Sequence, residues 1–199
     1  MPQSRSPAHE RWCSERCAAL DSLEHVHGTM TGKRRGRQYA TDQLNLALFV
    51  SLAAQFQGYC RDLHDDAAVQ IALSLMPGSE RQMPVVLNAL VRSRKLDVGN
   101  ASTGGIGNDF AILGMTFWPD VKASYPSKGP KWNATLESLN TVRNAIAHGR
   151  ADKLAEVRRE QPMNLATFNK WRRSLNGAAS GFDRVVGEYL QNLTGTGWD

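Results

Sequence analysis

Between Leu44 and Ala54 the chain is apolar on nearly every face of a helix, interrupted only by Asn45 and Ser51. A helix with no polar side has to be wrapped by other elements, so this stretch belongs in the middle of a bundle. Thr41 or Asp42 can cap its start. From Phe56 onward the pattern narrows to one apolar stripe of Phe56, Tyr59, Cys60 and Leu63, with Arg61, Asp62, Asp65 and Asp66 facing solvent. His64 beside Asp65 and Asp66 reads as solvated helix polarity. The helix is expected to reach Leu75, where Met76-Pro77-Gly78-Ser79 breaks it. With no convincing strand anywhere, the chain reads as all-α.

Other helices follow from the same periodicity. Trp12, Leu20, Leu23 and Val26 predict an amphipathic helix from Ala8 to about His27, with Cys13 and Cys17 half-buried on its packing face. His25 and His27 add imidazoles, but the spacing matches no standard zinc motif, so no metal is expected. A shorter helix is expected around Pro84 to Lys95, then a flexible glycine-rich connector from Gly99 to Asn108 that closes over a cleft. Asp109 to Trp118 reads as a short apolar helix and Pro119 to Pro130 as a turn-rich link. Lys131 to Arg150 and Ala151 to Glu160 read as further helices. Pro162 and Asn164 introduce a final one, with Phe168, Trp171, Leu175, Ala178, Phe182, Val185 and Tyr189 on its packing face. Its Gly177 and Gly181 permit close helix approach, with a dimer contact as one use. Lys170, Arg172 and Arg173 form a basic rim. About five to seven helices are expected in one domain over 1–199, with a flexible lead-in at 1–7 and a flexible tail at 194–199.

At 199 residues, 41% hydrophobic and 22% charged, the chain can bury a sizeable core. A net charge of +5 leans towards a polyanionic partner. Three cysteines, an odd number, fit a reducing compartment. No apolar run is long enough for a bilayer and the start lacks the core of a signal peptide, so a cytoplasmic location without a membrane is expected. Lys33, Arg34, Arg35 and Arg37 sit on a glycine-flanked loop that is either a phosphate-backbone contact or a solvated surface. No P-loop is present, because the glycine spacing is wrong.

The segment Lys131–Arg150 carries apolar residues Trp132, Leu136, Leu139, Val142 and Ile146 at three- and four-residue spacing, with Gly149 where a helix would stop. Near its end lie Arg143, Asn144 and His148 among small residues. Five residues turn about 500°, so Arg143 and His148 diverge by about 140° on an ideal helix. Spacing alone fits a solvated helix terminus, or a common groove formed if the last turn unwinds before Gly149 or if a second copy of the helix faces the first.

Arg143-Asn144-x-x-x-His148 resembles the signature of the HEPN superfamily (higher eukaryotes and prokaryotes nucleotide-binding domains). Leu44–Val50 with Gln57–Leu63 looks like the early long helix of bacterial HEPN proteins, and the glycine-rich run before Asp109-Phe110 falls in the family's order. The resemblance covers roughly residues 40 to 150. It implies a HEPN-like helical bundle that forms a symmetric dimer, with two signature helices building one cleft. The implied activity is a metal-independent endoribonuclease, a toxin or antiphage defence effector with a possible cognate antitoxin or defence-system partner, and no cofactor. Arg143, His148 and Asn144 would be catalytic. Gln57 would be a supporting residue, standing where related proteins often carry a glutamate. Lys33, Arg34, Arg35, Arg37 and Arg150 would contact RNA. The competing reading is a non-catalytic HEPN-like module that binds a nucleotide or a protein.

Overall fold

Asp42–Leu75 forms one uninterrupted helix, α3, and every other long helix lies along it. In the computed structural model, which describes residues 4–30, 32, 41–79 and 81–198, all regular structure is helical. Before α3 come α1 (Pro7–Arg11), a π-helical turn (Trp12–Arg16) and α2 (Cys17–Met30). After it come α4 (Met83–Val91), α5 (Lys95–Val98), α6 (Thr103–Ile112), α7 (Phe117–Ser124), α8 (Gly129–Ala147), α9 (Ala151–Glu160) and α10 (Leu165–Thr194). Counting Pro7–Met30 as one, the described residues form nine helical segments, against the five to seven expected.

Side-chain contacts fix the directions. Ala8 N–H donates to the Asp66 carboxylate, Arg16 pairs with Asp62, and His27 bonds Asn45, so α1–α2 runs antiparallel to α3. Phe49 packs on Phe168 and Trp171, while the Tyr59 hydroxyl donates to the Ala179 carbonyl at 2.7 Å, so α10 runs alongside α3 in the same sense. The core between them is aromatic: Trp12, Phe56, Tyr59, Phe110, Phe117 and Phe182 are almost wholly buried. Arg172, expected on a basic rim, instead pairs with Asp21 and Glu24 of α2.

α8 completes the framework by running antiparallel to α10. Its Trp132 ring lies over Gly177 and Gly181, closest at Gly181, where a β-carbon would fall well inside van der Waals contact. Those glycines therefore serve a close contact within the chain.

Three expectations fail for identifiable reasons. The glycine-rich run is helical from Thr103, because the Ser102 side chain caps it by accepting from Gly105 N–H at 3.0 Å and because Ile106 and Phe110 are buried. The helix expected to reach Trp118 ends at Ile112, and the expected link at 119–130 holds α7. His64 is fully buried, since α4 and α5 fold back over it. Its Nε2–H donates to the Asp109 carbonyl and Nδ1 accepts from Arg94, which also pairs with Asp65 and Asp97. Burial, then the Arg94 charge, holds His64 below its ordinary pKa, matching the neutral tautomer those bonds require.

The expected flexible ends are docked on one buried residue, Asp183, the first through its carboxylate and the second through its backbone carbonyl. Ser6 N–H donates to it at 3.0 Å and Arg5 pairs with it at 3.1 Å. At the other end, Trp198 is buried over Gly187 and donates from its indole N–H to the Asp183 carbonyl at 2.8 Å. Cys17 is half-buried as expected, while Cys13 is exposed.

Candidate functional site

α8 owes its position to one face, where Trp132, Leu136, Leu139, Val142 and Ala145 are buried. A polar residue, Asn140, is buried beside them. The helix then stops within one turn. Gly149 adopts φ 63°, its N–H donates to the Ile146 carbonyl at 3.2 Å, and Arg150 N–H donates to the Ala145 carbonyl at 2.8 Å. These two bonds make a Schellman motif, in which a left-handed residue lets the chain turn back while satisfying the last carbonyls. Glycine takes that conformation without a Cβ penalty. The reversal sends α9 antiparallel along α8 and leaves His148 exposed on the rim.

Asn144, His148 and Arg150 line one open depression of ≈ 240 Å³, together with Thr141, Ala145 and Lys153. A second depression of ≈ 370 Å³ continues from it, sharing Thr141 and Lys153 and lined further by Glu137, Glu156 and Glu160. The two form a groove between α8 and α9. Its cations are partnered along α9. Arg150 pairs with Asp152 at 3.3 Å and Lys153 with Glu156 at 2.8 Å. Hydrogen bonding to Glu156 holds the Lys153 ammonium above its ordinary pKa, and the same bond lowers that of Glu156. Arg158 joins Asp42 at 2.6 Å and ties α9 to the start of α3.

Arg143 stands outside this depression. It is half-buried, and its guanidinium donates to Asn144 Oδ1 at 3.1 Å. Gln57 does not reach Arg143. Its amide nitrogen donates to the carbonyls of Leu96 and Gly99, holding the segment that enters α6. Lys33, Arg34, Arg35 and Arg37 lie outside the described residues. Among the described residues, no three His, Cys, Asp or Glu side chains converge as a metal site would need.

The residue missed in the sequence is Asn100. Asn140 Nδ2 donates to the Ala101 carbonyl at 2.7 Å, and a carbonyl can only accept. Asn140 therefore turns its oxygen to Asn100, whose Nδ2 donates to it at 3.1 Å and to Asn144 Oδ1 at 3.2 Å. One backbone carbonyl thus sets three amide orientations. Asn144 Oδ1 receives both Asn100 and Arg143, which leaves its N–H donors for the depression. The available signal was Asn140 and Asn144 four residues apart, the first interrupting a buried stripe.

Asn100→Asp should destabilise the fold more than Asn100→Ala, although Asp is nearly the same shape as Asn. A carboxylate would confront two amide oxygens, leaving Asn140 Oδ1 without a donor and Asn144 Oδ1 with Arg143 alone, at a cost of about 1–3 kcal/mol. Thermal denaturation of the two variants checks this, and equal losses would mean the amide orientations are wrong.

No protein-family model, no curated protein and no solved structure matches this chain.

Proposed function

We propose that the chain is a metal-independent endoribonuclease that cleaves RNA through its own ribose 2′-hydroxyl. The observation that supports this is the end of α8, where His148 and the Asn144 amide border one depression and Arg143 is held against the same amide. The His148 imidazole can take the 2′-hydroxyl proton. The 2′-oxygen then attacks phosphorus, the bond from phosphorus to the 5′-oxygen breaks, and that oxygen leaves with a proton. The products are a 2′,3′-cyclic phosphate and a free 5′-hydroxyl. Arginine, permanently charged and planar, stabilises the pentacoordinate phosphate, and the Asn144 N–H donors assist.

A symmetric dimer completes this reading. Arg143 and His148 are about 140° apart around one helix, so a second copy of α8 brings an arginine to the opposite histidine. The likeness of Arg143-Asn144-x-x-x-His148 to the HEPN signature supports the same assembly, and with it a HEPN-like fold. A toxin or defence role in the cytoplasm, with RNA as substrate and an antitoxin or defence protein as partner, belongs to this proposal. No helix among the described residues is long and apolar enough to cross a membrane.

One observation favours the non-catalytic alternative. Gln57 is no carboxylate, and its amide nitrogen is bonded to backbone carbonyls of the segment entering α6, so it supplies Arg143 no acidic partner. Incubating the purified protein with mixed RNA in excess EDTA separates the two readings. Fragments ending in cyclic phosphate are expected. Intact RNA at enzyme excess would leave the binding module.

A further inference from the structure

The groove between α8 and α9 has an order of charge that the cleavage chemistry does not use. On α8, Glu137, Thr141, Asn144 and His148 follow at spacings of four, three and four, which places them in one stripe facing the groove. On α9, Lys153 and Glu156 face it one turn apart, with Glu160 a turn further on. Because the helices are antiparallel, the two stripes agree in sense. His148 and Arg150 stand at the end near the Gly149 turn, Lys153 lines both depressions and pairs with Glu156, and Glu160 stands at the other end beside Glu137, whose carboxylate accepts from Thr103. Asn144 presents N–H donors at the basic end, since its oxygen is held by Asn100 and Arg143.

We propose that this groove binds one nucleotide lengthwise, with phosphate at the His148 end and a base offering N–H donors, guanine foremost, at the carboxylate end. The inference rests on the ribonuclease reading for its biological sense, but its test does not. Asn144 and Glu137 are separated by about 10 Å along α8, the reach from a phosphate to the far edge of its own base. Depressions of 240 and 370 Å³ end to end suit a ligand of nucleotide size.

The base preference follows from donor and acceptor matching. A carboxylate only accepts hydrogen bonds. The Watson–Crick edge of guanine offers two adjacent N–H donors, N1–H and the N2 amino group, which match its two oxygens. Cytosine and adenine offer one amino group beside an acceptor. Uracil sets its single N–H between two carbonyl oxygens, which a carboxylate repels. Single-stranded bases present that edge freely, so the discrimination applies to unpaired RNA.

Titration with 3′-GMP and 3′-UMP, followed by calorimetry and by amide chemical shifts, tests this. The wild-type protein should bind 3′-GMP about tenfold or more tightly than 3′-UMP, the discrimination of one good bidentate pair. Glu156→Ala with Glu160→Ala should bring that ratio close to one while phosphate contact is kept. Both residues face solvent on a surface helix, so the fold should not change. Shifts should concentrate on α8 and α9 and include the Asn144 side-chain amide. Equal affinities for the two nucleotides, a preference surviving in the double variant, or shifts elsewhere would each overturn the proposal. Base-selective binding with RNA left intact would keep the groove and remove the nuclease, whereas cleavage with equal affinities would do the reverse.

Discussion

His148→Ala and Arg143→Ala should each lower RNA cleavage by about 10²–10⁴-fold, the size of a lost general base or a lost charge stabiliser. Neither change should unfold the protein. His148 is exposed, and the only hydrogen bond of the Arg143 side chain described is to the neighbouring Asn144. Truncations of this kind usually cost within about 0.5 kcal/mol, so thermal midpoints should barely move. The dimer proposal adds a sharper expectation. When the two inactive variants are unfolded together and refolded as a mixture, the mixed dimers would place an intact arginine near an intact histidine. Part of the wild-type rate should return. No recovery would remove the shared cleft, and near-normal rates in the single variants would remove cleavage from this site altogether.

Gly181→Val should be the most damaging single change in the framework. The outer edge of the Trp132 ring occupies the space a β-carbon at 181 would need, and Tyr125 closes that space from the side. Trp132 has little room to retreat, since it is buried and also packs edge-on against Phe182 at 5.9 Å between centroids. Overpacking of a tight core site costs about 1–3 kcal/mol or more. At about 2–4 °C per kcal/mol for a domain of this size, the midpoint should fall by several degrees. Gly177→Ala should cost less, because its β-carbon would sit 3.3 Å from the Trp132 indole nitrogen. A double variant with Trp132→Ala decides the cause. Removing the ring should make the valine at 181 nearly harmless, and full additivity of the two losses would show that the ring is not what it strikes.

Much of the framework was legible because helices announce themselves by period and punctuation. The break after Leu75, the span Ala151–Glu160 and the Asn164 cap all appear where capping and turn residues predict them. The cap at Asn164 accepts from Thr167 N–H at 2.9 Å. What was not legible depends on neighbours distant in sequence. Gly104, Gly105 and Gly107 read as a loop by composition, yet Ser102 and two buried side chains make them helical. His64 read as solvated until Arg94, thirty residues on, covered it. Gln57 was expected beside Arg143, but the carbonyls of Leu96 and Gly99 capture its amide. The site itself was partly visible. Asn144, His148 and Arg150 do share a depression, while the orientation imposed by Asn100 comes from a contact that local spacing cannot announce.

α9 has no fully buried residue, in contrast to the two long helices α3 and α10. It is attached through the Gly149 reversal, the partly covered Leu154 and Val157, and the clasp from Arg158 to Asp42. Segments anchored so lightly open at free energies far below global unfolding. The groove therefore has one wall set in the core and one that opens at lower cost, and a ligand bridging the two would hold them together. Strengthening the remote clasp at Asp42 would then tighten binding without altering a single atom that the ligand touches.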